Sequence, residues 1–205
     1  MRKRSPDLDV PGLYRKHLAQ TRFLYAAING LGETGAARDD QLILPFVSHQ
    51  QSKIRRAAIK ALAKLNFTPH IEVLFKALSD EAPPVSRQAL TSLVSQRAKV
   101  SGERLWKLFN SSDLFHVRRS ALIMIARLSK WDSLYYLLKA LHNSEQRVVD
   151  LSHFWIQDWL DRFNRSFVSP TREQVDRIVN AIDDSRNVIP EDSRQALLFA
   201  LKSFS

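Results

Sequence analysis

The sequence predicts an all-α fold, an α-α superhelix (solenoid) of about five to six helical hairpins, from three observations. A helical pattern recurs about every 31 residues, its apolar residues follow helical spacing, and residues that make tight turns are scarce. The 205-residue chain has only 5 glycines and 8 prolines, too few for the many turns of an all-β sandwich. Hydrophobic residues make up 44% and charged residues 25%, which is typical of a chain that folds around a core.

A small residue marks the centre of each repeat, with steps of 31, 31, 32 and 31 residues and a last step of 44. These small residues are Ala27, Ala58, Ala89, Ala121, Ser152 and Ala196. In the first five repeats apolar residues stand four positions before and four positions after it, as Ile54 and Leu62 do around Ala58. This spacing predicts one apolar stripe on a helix, with a small residue that lets a neighbouring helix come close.

A second apolar stretch precedes each of these helices from repeat two onward. The first helices of the hairpins are expected at 40–48, 70–78, 103–109, 133–141 and 172–182. The second helices are expected near 22–33, 53–66, 85–98, 117–129, 148–164 and 191–203. A hairpin of this kind cannot bury its apolar face alone and has to stack on its neighbours. We therefore expect a basic N-terminal extension at 1–12 and a single repeat domain at 13–205.

Two consecutive segments resemble a known repeat family. Leu42-Ile-Leu-Pro-Phe-Val47 and Lys53-Ile-Arg-Arg-Ala-Ala-Ile-Lys-Ala-Leu-Ala-Lys-Leu65 are similar to a HEAT or HEAT-like (PBS-lyase-type) repeat. That family has a proline in the first helix, matched by Pro45, and an aliphatic–Arg–x–x–Ala–x–x–Ala–Leu run in the second. The resemblance is strong over 22–165, although Val148-Val-Asp150 replaces the arginine of repeat five. It implies a fold and leaves the activity open.

The charge is placed unevenly along the chain. The net charge is +10, with +12 in residues 1–147 and −2 in residues 148–205. This asymmetry favours an acidic partner, although excess lysine and arginine also maintain solubility. On the second helices the cations stand opposite the apolar stripe, and the resemblance implies that these helices line a concave side. The predicted binding strip consists of Arg56, Lys60, Lys64, Arg87, Arg119 and Arg127.

Arg87 and Arg119 have an alternative, structural interpretation. The family is known for an arginine near the start of the second helix that bonds an acid in the preceding turn. Glu81 stands six residues before Arg87, and Asp113 stands six residues before Arg119, so both roles stay open. The segment 53–64 contains five basic residues and no acid, so its three members of the strip are the preferred ligands for an external anion.

Aromatic residues are concentrated in the second helix of repeat five. Core filling is the favoured interpretation of Trp155 and Trp159, which stand one helical turn apart. The alternative is an aromatic platform for a nucleobase or for a partner side chain. Together with Tyr25 and Phe154, these two tryptophans are the candidate aromatic contacts.

The sequence lacks the patterns that indicate chemistry. It has no cysteine, which excludes disulfides, thiolate metal sites and a cysteine nucleophile. Its six histidines have no metal-ligand spacing, and Gly30-Leu-Gly32-Glu-Thr-Gly35 is interpreted as a helix stop because no lysine follows as in a phosphate loop. We therefore expect no catalytic residue, no metal, no cofactor and no evident small-molecule ligand.

The favoured function is a non-enzymatic scaffold or adaptor whose basic strip binds an acidic protein surface, with apolar contacts from Tyr25, Ile123 and Phe154. The alternative is binding of the duplex DNA backbone. Its least favoured variant is an enzyme similar to the HEAT-like alkylpurine DNA glycosylases, where tryptophans and an aspartate face the lesion; Trp155, Trp159 and Asp158 could occupy those places. The HEAT-like family also includes subunits of bilin lyases, so the resemblance leaves that function open as well.

The longest uninterrupted apolar stretches have six residues, far below the about 20 needed to span a bilayer. We expect a cytoplasmic protein with no membrane partner.

Overall fold

The computed structural model describes residues 9–95, 99–165, 167–202 and 204, which contain twelve α-helices and no strand. Contacts divide the chain into two compact units, residues 1–95 and 96–205. The first unit contains α1 (Val10–His17), α2 (Leu24–Thr34), α3 (Asp40–Ile43), α4 (Ser52–Leu65), α5 (Ile71–Lys76) and α6 (Pro83–Val94). The second contains α7 (Gly102–Ser111), α8 (Phe115–Ile125), α9 (Lys130–Ala140), α10 (Gln146–Asp161), α11 (Arg172–Asp184) and α12 (Glu191–Leu201).

Hydroxyl side chains cap the N-termini of three helices in the second unit, α7, α9 and α11. The Ser101 hydroxyl accepts a hydrogen bond from the backbone N–H of Arg104 at 3.4 Å. Thr171 caps α11 through a reciprocal pair, because its hydroxyl accepts from the Gln174 N–H at 3.2 Å and its own N–H donates to the Gln174 side chain at 3.0 Å. Each cap satisfies a backbone donor that the first helical turn leaves unpaired.

Pro45 interrupts the first helix of the second hairpin. The chain forms α3 and then continues as a 3-10 helix over Leu44–Ser48, since proline lacks the N–H of an α-helical hydrogen bond and its ring clashes with the preceding turn. The two segments together cover the predicted 40–48. The proline that carried the family resemblance therefore lies inside a first helix, as expected.

The predicted fold class, an all-α solenoid of helical hairpins, is confirmed. Starts of the six second helices lie within about two residues of the expected positions. The first helix of the first hairpin was missed: α1 begins at Val10, inside the segment 1–12 that was expected to be an extension. Residues 1–8 lie outside the described part of the chain. The division after Ser95 falls inside the single domain predicted at 13–205.

The core of the first unit lies where α2 packs against α4. Ala58, one of the repeating small residues, is buried there beside Ile28 and Leu62, and Ala27 on α2 is also buried. Gly32 brings the helices closest, because a Cβ atom on it would lie 2.7 Å from the Ala61 Cβ and 2.8 Å from the Ala61 Cα. No side chain fits in that gap unless the helix backbones move apart.

A valine at position 32 is expected to destabilise the first unit. Gly32→Val forces the overlap with Ala61 and should lower the free energy of unfolding by about 2 kcal/mol, more than the gain in helix propensity returns. Urea unfolding followed by circular dichroism measures the change. Thr34→Val, which adds the same residue at an exposed position of the same helix, is the control and should change little. A Gly32→Val variant as stable as the parent would contradict the close approach.

Candidate functional site

Two arginines of the predicted strip occupy equivalent exposed positions on neighbouring helices. Arg56 is the fifth residue of α4 and Arg87 the fifth residue of α6, and these two helices pack against each other. Both side chains are exposed, and neither forms an ion pair within residues 9–95. Their guanidinium groups are therefore available to an external carboxylate or phosphate.

The arginine that stabilises the fold is Arg55, one residue before Arg56. Its Nε and Nη2 atoms each donate to a different carboxylate oxygen of Asp80 at 2.8 Å, and its Nη1 donates to the backbone carbonyls of His49 and Gln50 at 3.0 Å. The side-chain hydrogen bond to Asp80 raises the pKa of Arg55 above its usual value, outweighing the effect of burial. Arg55 thus joins the turn before its own helix to the turn of the following hairpin.

The same arrangement recurs in the second unit with Arg118. Its Nη2 lies 2.6 Å from the Glu145 Oε2, and both side chains are largely buried. Arg119, the next residue, is exposed and forms no ion pair within 99–165 and 167–202. The acid again belongs to the following hairpin, 27 positions further along the chain.

The alternative structural interpretation of Arg87 and Arg119 therefore does not describe this fold. Neither arginine pairs with the acid six residues before it; instead Glu81 lies 3.5 Å from Arg55, and the Asp113 carbonyl accepts from Arg118 at 3.5 Å. Successive residues of an α-helix point about 100° apart, so a shift of one position moves a side chain from the packed face to the exposed face. The inward arginine reaches a turn, and the outward arginine reaches solvent.

The two lysines of the strip are held by an acid from another repeat. Lys64 Nζ lies 2.5 Å from Glu33 Oε1 and 2.6 Å from Oε2, and Lys60 Nζ lies 3.3 Å from Oε1. Hydrogen bonds from Lys64 and then from Lys60 lower the pKa of the Glu33 carboxyl. Segment 53–64 has no acid of its own, but α2 supplies one. Sequence reasoning missed it, although Glu33 stands one repeat length, 31 residues, before Lys64.

Removing the Glu33 charge is expected to free both lysines for an external anion. Glu33→Gln should raise the affinity of the chain for poly-L-glutamate about threefold, and stability should change little because exposed ion pairs contribute at most about 1 kcal/mol. Isothermal titration calorimetry at low salt measures the affinity. Glu81→Gln removes an equal charge from the turn before α6 and serves as the control. If Glu33→Gln binds no better than the control variant, Glu33 does not compete for the lysines.

Arg127, the last member of the strip, and the four candidate aromatic residues differ in how far they are exposed to solvent. Arg127 follows α8 and lies over the Trp155 ring at 5.7 Å from its centroid, and Trp155 is half-buried. Phe154 and Tyr25 are exposed, at 60% and 42%. Trp159 is 8% exposed, and its Nε1 donates to the Lys130 carbonyl at 2.6 Å, so it belongs to the core.

Comparison with known proteins agrees with this repeating geometry. Residues 40–126 match the family profile described as HEAT repeats. This part of the chain is similar to HEAT repeats. The crystal structure of an engineered protein aligns with a TM-score of 0.55 at 17% identity, covering 96% of this chain and 98% of the engineered one. At that identity the similarity concerns the fold alone. A search of curated proteins finds no sequence match.

A buried polar pair lies outside the predicted binding strip. His70 is buried, and its Nε2 lies 2.8 Å from the Asp40 carboxylate. The described residues contain no group of three histidine, aspartate or glutamate side chains arranged to hold a metal ion. None of the helices described is both long and apolar enough to cross a membrane.

Proposed function

We propose that this HEAT-repeat chain is a non-enzymatic binding scaffold or adaptor that binds an acidic protein surface through the exposed cations of α4 and α6. The observation that carries the proposal is the contrast between Arg55, which is buried in a network of its own, and Arg56 and Arg87, which the fold leaves exposed and unpaired within residues 9–95. Two unpaired guanidinium groups at equivalent positions of adjacent helices suit a partner that presents carboxylates in a row.

Guanidinium chemistry supports a protein partner with aspartate and glutamate side chains. Each arginine can form two parallel hydrogen bonds with one carboxylate, and such bonds fix orientation as well as adding affinity. The surrounding positive charge would accelerate association. Tyr25 stands two residues before Ala27, as Arg56 stands two residues before Ala58, and it offers an exposed aromatic ring for the apolar part of the contact. In the second unit, Arg119, Arg127 and Phe154 are proposed as further contacts. The predicted cytoplasmic location stays part of the proposal.

The experiment that tests this function compares two polyanions. Binding of poly-L-glutamate and of a duplex DNA is measured by fluorescence anisotropy over a range of salt concentrations, with poly-L-lysine as the control of opposite charge. We expect poly-L-glutamate to bind more tightly than the duplex and poly-L-lysine not to bind. If the duplex binds more tightly, and its affinity falls with salt as steeply as expected for contacts with several phosphates, the DNA alternative replaces this proposal. Absence of binding to either polyanion at low salt would refute both.

A further inference from the structure

A cleft of about 280 Å³ opens in the second unit beside α9 and α10. Leu128 and Leu137 contribute apolar wall, and the two indole rings of Trp155 and Trp159 contribute flat aromatic surface. The charged side chains of Lys130, Asp158, Arg162 and Arg165 complete the lining. Three bases and one acid give this lining a net positive charge. The two tryptophans are the aromatic platform that the sequence offers as an alternative. Spacing does not reveal the cations beside them, because the cleft is formed by residues up to 39 positions apart, from Ala126 to Arg165.

The two indoles are fixed in different ways. Trp159 is held by its hydrogen bond to the Lys130 carbonyl and by an edge-to-face contact with Trp131, with ring centroids 5.6 Å apart. Trp155 is contacted by the Arg127 guanidinium, yet its own Nε1 is buried and has no hydrogen-bond acceptor among the described residues. A buried donor without an acceptor is rare in folded proteins, and the Trp155 indole therefore lacks the hydrogen bond that fixes Trp159.

The three cations of the cleft differ in the contacts that they already make with the protein. Lys130 Nζ lies 3.8 Å from the centroid of the Phe163 ring and donates to the Phe163 carbonyl at 2.6 Å, and burial lowers its pKa. Arg162 is paired with Asp158. Arg165 is exposed and forms no ion pair with any described residue of the second unit. Arg165 is therefore the cation most available to a ligand.

We propose that this cleft binds a small aromatic anion, a planar ring that carries a phosphate or carboxylate group. The ring would lie against the Trp155 indole, and the anionic group would accept hydrogen bonds from Arg165. Stacking on indole favours flat rings, arginine favours phosphate and carboxylate, and the volume suits a single ring. This binding site goes beyond the scaffold function and does not depend on it.

Phenyl phosphate is the probe that tests the proposal, with phenol and inorganic phosphate as its two halves. Isothermal titration calorimetry on the full chain should show saturable binding of phenyl phosphate at least ten times tighter than that of either half. Arg165→Gln should weaken the binding about tenfold, and Trp155→Leu should weaken it further. Arg186→Gln, which removes an exposed arginine outside the cleft lining, should leave it unchanged.

Three results would overturn the proposal. Phenyl phosphate could fail to bind saturably; inorganic phosphate could bind equally well, which would reveal only a charged surface; or Arg165→Gln and Arg186→Gln could have equal effects. Trp155→Phe keeps an aromatic ring, and it replaces Trp155→Leu in the test if the leucine variant does not fold. Circular dichroism confirms that each variant is folded, and a folded Trp155→Phe is expected to retain part of the affinity.

Discussion

Asp80→Ala is expected to lower the free energy of unfolding of the unit formed by residues 1–95 by about 3 to 5 kcal/mol. The substitution leaves the Arg55 guanidinium, on a side chain that is 11% exposed, without the carboxylate that accepts two of its hydrogen bonds. It also removes the acceptor for the Ala82 backbone N–H, 2.9 Å from Asp80 Oδ1, at the start of α6. A buried charge that loses its partner costs far more than the pair itself contributes.

The neighbouring acid provides the matched control for this prediction. Glu81 is 87% exposed at its side chain and lies 3.5 Å from Arg55, so Glu81→Ala should change the free energy of unfolding by less than about 0.5 kcal/mol. Urea unfolding of both variants, followed by circular dichroism, gives the comparison. Equal effects of the two substitutions, or a cost below about 1 kcal/mol for Asp80→Ala, would contradict the assignment of Arg55 as the structural arginine.

The second large effect is the loss of stability of the first unit in acid. Asp39 and Asp40 are both buried; Asp39 accepts two hydrogen bonds from Arg15 at 2.8 and 2.9 Å, and Asp40 accepts from Asn66 at 3.0 Å and contacts His70. The Arg15 hydrogen bond lowers the pKa of Asp39, and the His70 hydrogen bond lowers the pKa of Asp40. Both carboxyl groups are therefore harder to protonate in the folded chain than in the unfolded chain.

The sign of the pH dependence follows from these lowered pKa values. The stabilisation is fully present above the unfolded aspartate pKa of about 3.9 and is lost as the pH falls through the lower folded values. We expect the unfolding free energy of the parent chain to fall steeply below pH 4 and that of Asp39→Asn/Asp40→Asn to fall less steeply. At pH 7 the variant should be less stable by about 3 kcal/mol, because Arg15 loses its counter-charge. Parallel curves for the two chains would contradict this account.

The fold could be predicted because each repeat encodes the same local pattern. Small residues such as Ala58 recur once in each helical hairpin, about every 31 residues, and the apolar positions around them face a neighbour that has the same pattern. Helix α1 was missed because it has only eight residues and none of them is fully buried. Apolar spacing predicts a helix only where one of its faces is buried, and this eight-residue helix has no buried residue.

The candidate site could be predicted only in part because its charges are set by tertiary contacts. The exposed positions of Arg56 and Arg87 follow from helical spacing, which the sequence contains. The partner of Arg55 stands 25 residues later and the partner of Lys64 stands 31 residues earlier, so local spacing does not reveal either pair. Likewise, residue type did not distinguish Trp159, which is buried, from Trp155, which is half-buried.

The most direct test of the account reverses the two unpaired charges of the first unit. Arg56→Glu/Arg87→Glu should lower affinity for poly-L-glutamate at least tenfold and create measurable binding of poly-L-lysine, because the face then presents carboxylates. The control Arg38→Glu/Lys76→Glu changes the net charge equally at exposed positions off α4 and α6 and should keep most of the poly-L-glutamate affinity. If both double variants lose affinity to the same extent, binding depends on net charge alone, and the claim that α4 and α6 form the binding face is wrong.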